Sequence, residues 1–332
     1  MFTRLPQRLV LLLSVIAIVP ITLTTATAHA AGTPAKVLRV GITQDIDSVN
    51  PFLAELASST DIGRVMYEFL TTYDPKDEHP VPGLATAWTH SADGRTWTYT
   101  IRTGAKWSDG QPITAHDAAF TFNLMMTNKD AATANGNFVA NFASVSAPND
   151  TTLVITTKAP QATMLALDVP IVPRHIWSGV GDIAKYTNLP TPGHPVVGSG
   201  PYILTDFRAA QFIKLAANPT YWRGAPKIDE LDFVHFDDTN SEVQALIKGD
   251  IDLVNGLTAA QFDSLKGHQG ITTNQAVGGR FVDLVMNSGA ATNTGTPIGD
   301  GNPNLKDIAL RTAIADAIDP RTLVRQVYGG YA

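Results

Sequence analysis

The sequence predicts an α/β protein with a substantial β-rich insertion, and three observations carry that prediction. A strand, a capped helix, a stop glycine and a second strand follow one another between residues 228 and 254, the order of a βαβ unit. Residues 84–102 and 153–155 instead alternate apolar and polar with period two, and they lie between a first strand and that unit. The composition, 44% hydrophobic and 16% charged in 332 residues, suffices to bury the cores of about two domains.

The chain opens with Arg4 and Arg8, then a 15-residue apolar stretch, Leu9–Leu23, broken by Pro20. Ala28-His29-Ala30 follows as a small-x-small cleavage site, so residues 1–30 read as a secretory signal peptide. The apolar stretch is shorter than the roughly 20 residues a membrane span needs. Removing these 30 residues, two of them arginine, leaves 302 with a net charge of −8 in place of −6.

Val37–Ile42 alternates Leu38, Val40 and Ile42 on one face and predicts the first strand. Thr43 to Phe52 is polar, closes on Asn50-Pro51, and reads as a loop leaving the strand's carboxyl end. Ser59–Leu70 carries Ile62, Val65, Met66 and Phe69 on a helical stripe. Ala92-Asp93-Gly94 turns a hairpin whose aromatic face holds Trp97 and Tyr99, and Lys106–Pro112 (KWSDGQP) is a second tight turn. Thr114-x-x-Asp117 caps a helix with Ala118, Phe122 and Met125 on one face. Residues 160–200 hold six prolines and read as loops with short helical turns. Ile228–Phe236 is then a strand. Thr239-x-x-Glu242 caps a helix stopped by Gly249, and Ile251–Val254 is the next strand. A capped helix over Thr258–Lys266, a strand over Phe281–Met286, a helix over Leu305–Ile318 and a helix opened by Asp319-Pro320 and running to Gly329 complete the series.

Several chemistries are disfavoured. Zero cysteines remove disulfides, thiolate metal sites and cysteine nucleophiles. A pI near 5.7 with scattered charge argues against a nucleic-acid partner. Gly198-Ser199-Gly200 lacks the glycine at position 197 that a nucleophile elbow needs, and reads as a tight turn. The histidines form no paired motif, and no phosphate-cradling glycine loop occurs, so no cofactor and no metal are expected. Asp45 and Asp47 read as solvated loop charges or caps, and the hairpin aromatics as core.

Four ordered blocks carry a resemblance. Leu84–Arg102 continues through Gly104–Asp117 (GAKWSDGQPITAHD); Asp47-Ser48-Val49-Asn50-Pro51 follows the first strand; Gly198–Tyr202 (GSGPY) precedes Asn218–Gly224 (NPTYWRG); and Leu310–Pro320 (LRTAIADAIDP) comes last. The chain thereby resembles the family 5 extracellular solute-binding proteins, the peptide receptors of ABC importers. The resemblance implies a two-lobed periplasmic-binding-protein (class II-like) clamshell. Its first α/β lobe would be residues 31–58 and 191–288, with a β-rich subdomain inserted at 59–190 and the start of an incomplete second lobe at 289–332. Members run longer, so the chain reads as truncated, and its junction is expected to expose apolar surface. The implied function is binding of a peptide between the lobes and its delivery to a membrane permease, without catalysis. A carboxylate that pairs with the peptide's ammonium group would fall beyond Ala332. Nickel chelates, oligosaccharides and opines stay open as solutes, and an exported hydrolase or a sensor for a membrane receptor as other classes. The expected protein is a monomer, periplasmic or extracellular, with no cysteine for a lipid anchor. Loops at strand ends are expected to meet the ligand: Asp47, Ser48, Val49 and Asn50, the turn at Ser199 and Gly200, and Asn287. On that reading, alanine at Asn50 or Asn287 weakens binding without lowering the stability of the ligand-free protein.

Overall fold

A computed structural model describes residues 35–275, 283–291 and 295–331, so the expected signal peptide lies outside the described residues. The chain enters through β1 (Val37–Ile42), α1 (Ala57–Met66) and a short hairpin of β2 (Thr71–Tyr73) and β3 (Pro80–Pro82). Next come β4 (Ala85–His90), β5 (Thr96–Ile101), α2 (Ala115–Thr127), α3 (Gly136–Val139), β6 (Phe142–Asn149), β7 (Thr152–Thr157) and α4 (Arg174–Trp177). The chain then adds β8 (Tyr202–Arg208), β9 (Phe212–Ala217), β10 (Glu230–His235), α5 (Thr239–Lys248) and α6 (Ala259–Leu265). It closes with β11 (Ala290–Ala291), β12 (Pro297–Ile298), α7 (Ile308–Asp316) and α8 (Pro320–Gln326).

Two four-stranded sheets organise these elements. One has the order β1-β10-β9-β8, with β1 parallel to β10 and Ile42 opposite His235; the other is antiparallel in the order β4-β5-β7-β6. The chain leaves the first sheet after β1 and builds the whole second sheet before it returns at β8, as the period-two insertion predicted. Alternation sets the inner face of the second sheet: Tyr99, Leu153 and Ile155 are fully buried while Thr100 on the same strand faces out. Helix α2 covers this sheet with Phe122, whose ring meets Phe142 edge-on at 5.8 Å. Its start is the predicted capping box, in which Asp117 Oδ2 accepts from the Thr114 amide at 2.8 Å. The other Asp117 oxygen accepts from the Arg174 amide at 3.0 Å, so one buried carboxylate also positions α4.

Several boundaries differ from the sequence reading. Helix α1 begins two residues earlier and stops at Met66, because Tyr67 is extended. Helix α5 is capped by Asp238, not Thr239, since that carboxylate accepts from the Asn240 and Ser241 amides. Ile251–Val254 is not a strand but one parallel bridge, Val40 to Leu253, with the Gly41 amide donating to Leu253 O at 2.9 Å. Within Phe281–Met286, residues 281 and 282 lie outside the described residues, and 283–286 have no regular structure. Helix α7 starts at Ile308 because Asp307 caps it, after a 3-10 turn over Pro303–Lys306. Asp319 caps α8, which ends at Gln326. Large apolar side chains that stay exposed among the described residues gather in 284–328, with Val285 at 78% and Ile308 at 69%.

Glu242, freed from capping, is buried against β1. A Cβ on Gly41 would lie 2.6 Å from its Oε1, so glycine at this position gives the Glu242 side chain its room. Burial raises the Glu242 carboxyl above its ordinary 4.5. The native state therefore holds this proton more tightly than the unfolded chain, and stability falls as pH rises from about 4.5 through the raised value. Glu242→Gln is expected to be more stable than the parent at neutral pH, with the difference vanishing below about pH 4.5; urea unfolding across that range checks it.

Candidate functional site

In open α/β sheets, ligands bind beyond the carboxyl ends of parallel strands. Here that edge is formed by Ile42 and His235, the last paired residues of β1 and β10. The loop after Ile42 is sewn to the amino end of α1, which has no side-chain cap of its own at Leu56. Asp47 supplies one from a distance, its Oδ2 accepting from the Glu55 and Leu56 amides at 2.9 and 3.1 Å and its Oδ1 from the Ser59 hydroxyl. Partial burial would raise the Asp47 carboxyl, but these hydrogen bonds outweigh it and hold the group below its usual range. Gln44 Oε1 accepts from the Ser58 amide, and the Ser58 hydroxyl donates to Asp45 O at 2.6 Å.

This anchoring turns Asp45 outward, 70% exposed, with its Oδ1 3.0 Å from Nε2 of the nearly buried His235. Ile42, Ile46, Phe207 and Phe212 line a shallow surface depression beside the pair, together with Arg208 and Gln211. The β8–β9 turn reaches this edge because Phe212 pairs with Val234 one residue before His235. An exposed carboxylate, nearby amide and guanidinium donors and an apolar lining suit a ligand that carries N–H groups, carbonyls and small apolar side chains.

The residues singled out from sequence divide in two. Asn50 is fully buried: its Nδ2 donates to Tyr186 O at 2.7 Å and Ile183 O at 3.2 Å, and its Oδ1 accepts from the Phe52 amide at 3.0 Å. Val49 is buried with its carbonyl accepting from Asn188, and the Ser48 hydroxyl accepts from the Asn50 amide. Ser199 and Gly200 both donate amides to Met66 O, and the Ser199 hydroxyl accepts from the Glu68 amide at 2.8 Å. Asn287 is exposed, its Oδ1 accepting from the Gly289 amide and its carbonyl from the Asn302 amide. The expectation that Asn50 can be cut to alanine without loss of stability is therefore corrected: its polar groups are spent inside the fold. The Asp45–His235 pair carries no local sequence signal, since Asp45 reads as a loop charge and His235 lies within the strand Ile228–Phe236.

The turn at 198–200 also joins the distant sequence blocks. The Ser108 amide donates to Gly198 O at 2.8 Å, and Asn218 Nδ2 donates to Gly200 O at 2.9 Å. Tyr221 donates to the buried Glu68 at 2.5 Å, while Arg102 lies 3.6 Å and Arg223 4.4 Å from the Trp222 ring. Burial pushes Glu68 upward despite Tyr221 and the two arginines.

The sequence pattern of the bacterial extracellular solute-binding proteins, family 5 Middle, matches residues 79–332. The chain belongs to this family. The oligopeptide-binding protein AppA of Bacillus subtilis is 30% identical over 281 residues, covering 82% of this chain and 48% of AppA. The nickel-binding periplasmic protein of Escherichia coli is 33% identical over 198 residues, or 58% of this chain and 36% of that protein. The chain spans about half the length of the curated relatives it matches. Among solved structures, AppA in complex with a nonapeptide superposes with a TM-score of 0.68 at 25% identity, covering 90% of this chain and 57% of AppA. NikZ of Campylobacter jejuni in complex with Ni(L-His) superposes with a TM-score of 0.69 at 21% identity, covering 89% and 55%. The mixed α/β architecture of this chain is thus that of the two-lobed family 5 binding proteins. Among the described residues, no helix is long and apolar enough to cross a membrane.

Proposed function

We propose that this chain forms one wall of an interlobe cleft that binds peptides outside the cytoplasm for an ABC importer and presents them to its permease, with no chemical step. The observation that carries the reading is the carboxyl edge of β1 and β10, where Asp45 and His235 lie beside a shallow depression lined by apolar side chains, Arg208 and Gln211. The likeness to AppA supports a peptide as the solute. Residues 1–30 direct export. Residues 31–58 and 191–288 make the first lobe, 59–190 its inserted subdomain and 289–332 the beginning of the second; closure is a population shift driven by ligand contacts to both lobes. In the ligand-bound form the Asp45 carboxylate, the main chain of residues 45–48 and Asn287 meet the peptide, while Val49, Asn50, Ser199 and Gly200 hold those contacts in place from behind. An extended peptide is gripped through its backbone, so many sequences fit.

Asp45→Asn is expected to weaken peptide binding roughly tenfold or more while leaving stability nearly unchanged, because the Asp45 carboxylate is 70% exposed and a surface charge adds little to folding, whereas a charged acceptor adds more to binding. Calorimetric titration with a short peptide, beside urea unfolding of the same variant, checks both halves. The function itself is tested by native mass spectrometry of the protein purified gently from its own host. A spread of adducts that resolves into short peptides supports the reading. One discrete metal-chelate mass supports the alternative that the nickel-binding relative favours, and overturns the peptide assignment.

A further inference from the structure

We propose that the β2–β3 hairpin carries a binding site for a divalent transition-metal ion, with Asp74, Asp77 and His79 as its protein ligands. The site is on a different element from the β1–β10 edge and does not rest on the peptide reading. One donor atom from each of the three residues lies within 4.8 Å of the others, and His79 Nδ1 is 2.5 Å from Asp77 Oδ1. An ion at the roughly 2.0–2.2 Å bonds of imidazole and carboxylate ligands would replace the His79–Asp77 hydrogen bond and draw the three donors around it by side-chain rotation.

The backbone holds the three donors on one loop. Tyr73 and Pro80 are paired across the hairpin, and residues 74–79 close it through Asp74 N to His79 O and Glu78 N to Asp74 O, both 2.9 Å. Pro75, within the loop, and Pro80, just after it, restrict the chain, so less entropy is lost when an ion orders it. Asp77 and His79 are 66% and 58% exposed, which leaves an entry path and room for water in the remaining coordination positions.

The donor set narrows the ion. One imidazole nitrogen with two carboxylate oxygens suits zinc or nickel; magnesium and calcium prefer oxygen alone, and a soft ion would want sulfur. A search for paired histidines passes over this loop, because its ligands follow the spacing Asp-x-x-Asp-x-His.

The test is calorimetric titration of zinc chloride into the chain purified without a histidine tag, with magnesium chloride in parallel. The expected result is one saturable zinc site, no comparable magnesium uptake, and a loss of at least about tenfold in affinity for His79→Ala and for Asp77→Asn. His90→Ala, an exposed histidine outside the loop, should bind zinc as the parent does. These substitutions fall on exposed side chains, and circular dichroism confirms that the variants fold. Absence of saturable zinc uptake by the parent, or parental affinity in the folded His79→Ala variant, overturns the proposal.

Discussion

Gly200→Ala is expected to destabilise the protein by roughly 3–5 kcal/mol, enough to leave little folded protein at 37 °C. A Cβ at this position would lie 2.4 Å from Val65 O and 2.8 Å from the carbonyl carbons of Val65 and Met66. All three are backbone atoms at the last turn of α1, so no side-chain rotation relieves the contact. The turn cannot retreat either, since the Ser199 and Gly200 amides both bond Met66 O and Ser199 accepts from Glu68. Gly63, in the same helix, is the contrast: a Cβ there meets nothing within 4 Å. Gly63→Ala should gain about 0.5–1 kcal/mol from helix propensity alone. Urea midpoints of the two variants should move in opposite directions, and a small loss for Gly200→Ala would show that the turn is not fastened as described.

Asn50→Ala is the second large effect, at about 3–5 kcal/mol. The amide sits at 0% exposure and makes three hydrogen bonds, each to main chain. Truncation strands the carbonyls of Ile183 and Tyr186 and the Phe52 amide in a water-poor interior, which costs more than the bonds contributed. Asn50→Asp should be damaging as well, since a carboxylate cannot donate to either carbonyl. A stability equal to the parent's for Asn50→Ala would move this residue from the interior to the ligand face.

These two residues also show where the sequence was legible and where it was not. The alternation of Trp97, Tyr99, Leu153 and Ile155, the capping box at Thr114 and Asp117 and the stop at Gly249 are local rules, and each reappears in place. Ile251–Val254 misled because Ile251, Leu253 and Val254 around Asp252 fit a short strand, yet only Leu253 bridges β1. The candidate site was harder. Glycine, serine and asparagine in a turn look alike whether their polar groups meet a ligand or another loop. Asn50, Ser199 and Gly200 make hydrogen bonds to other segments of the fold, and the conspicuous blocks GAKWSDGQP, GSGPY and NPTYWRG meet through Ser108, Gly198, Gly200 and Asn218. The pair of exposed Asp45 and nearly buried His235 needs the parallel register of β1 and β10, a long-range pairing no local pattern encodes.

The measurement that bears most directly on the account is amide hydrogen exchange of the protein with and without a saturating pool of short peptides. Protection concentrated at residues 43–48, 208–213 and 235–238, beyond that seen for the loop at 183–188, is the predicted result. Peptide-dependent protection confined to other surfaces, or none at saturation, would contradict the assignment of the β1–β10 edge as the ligand face.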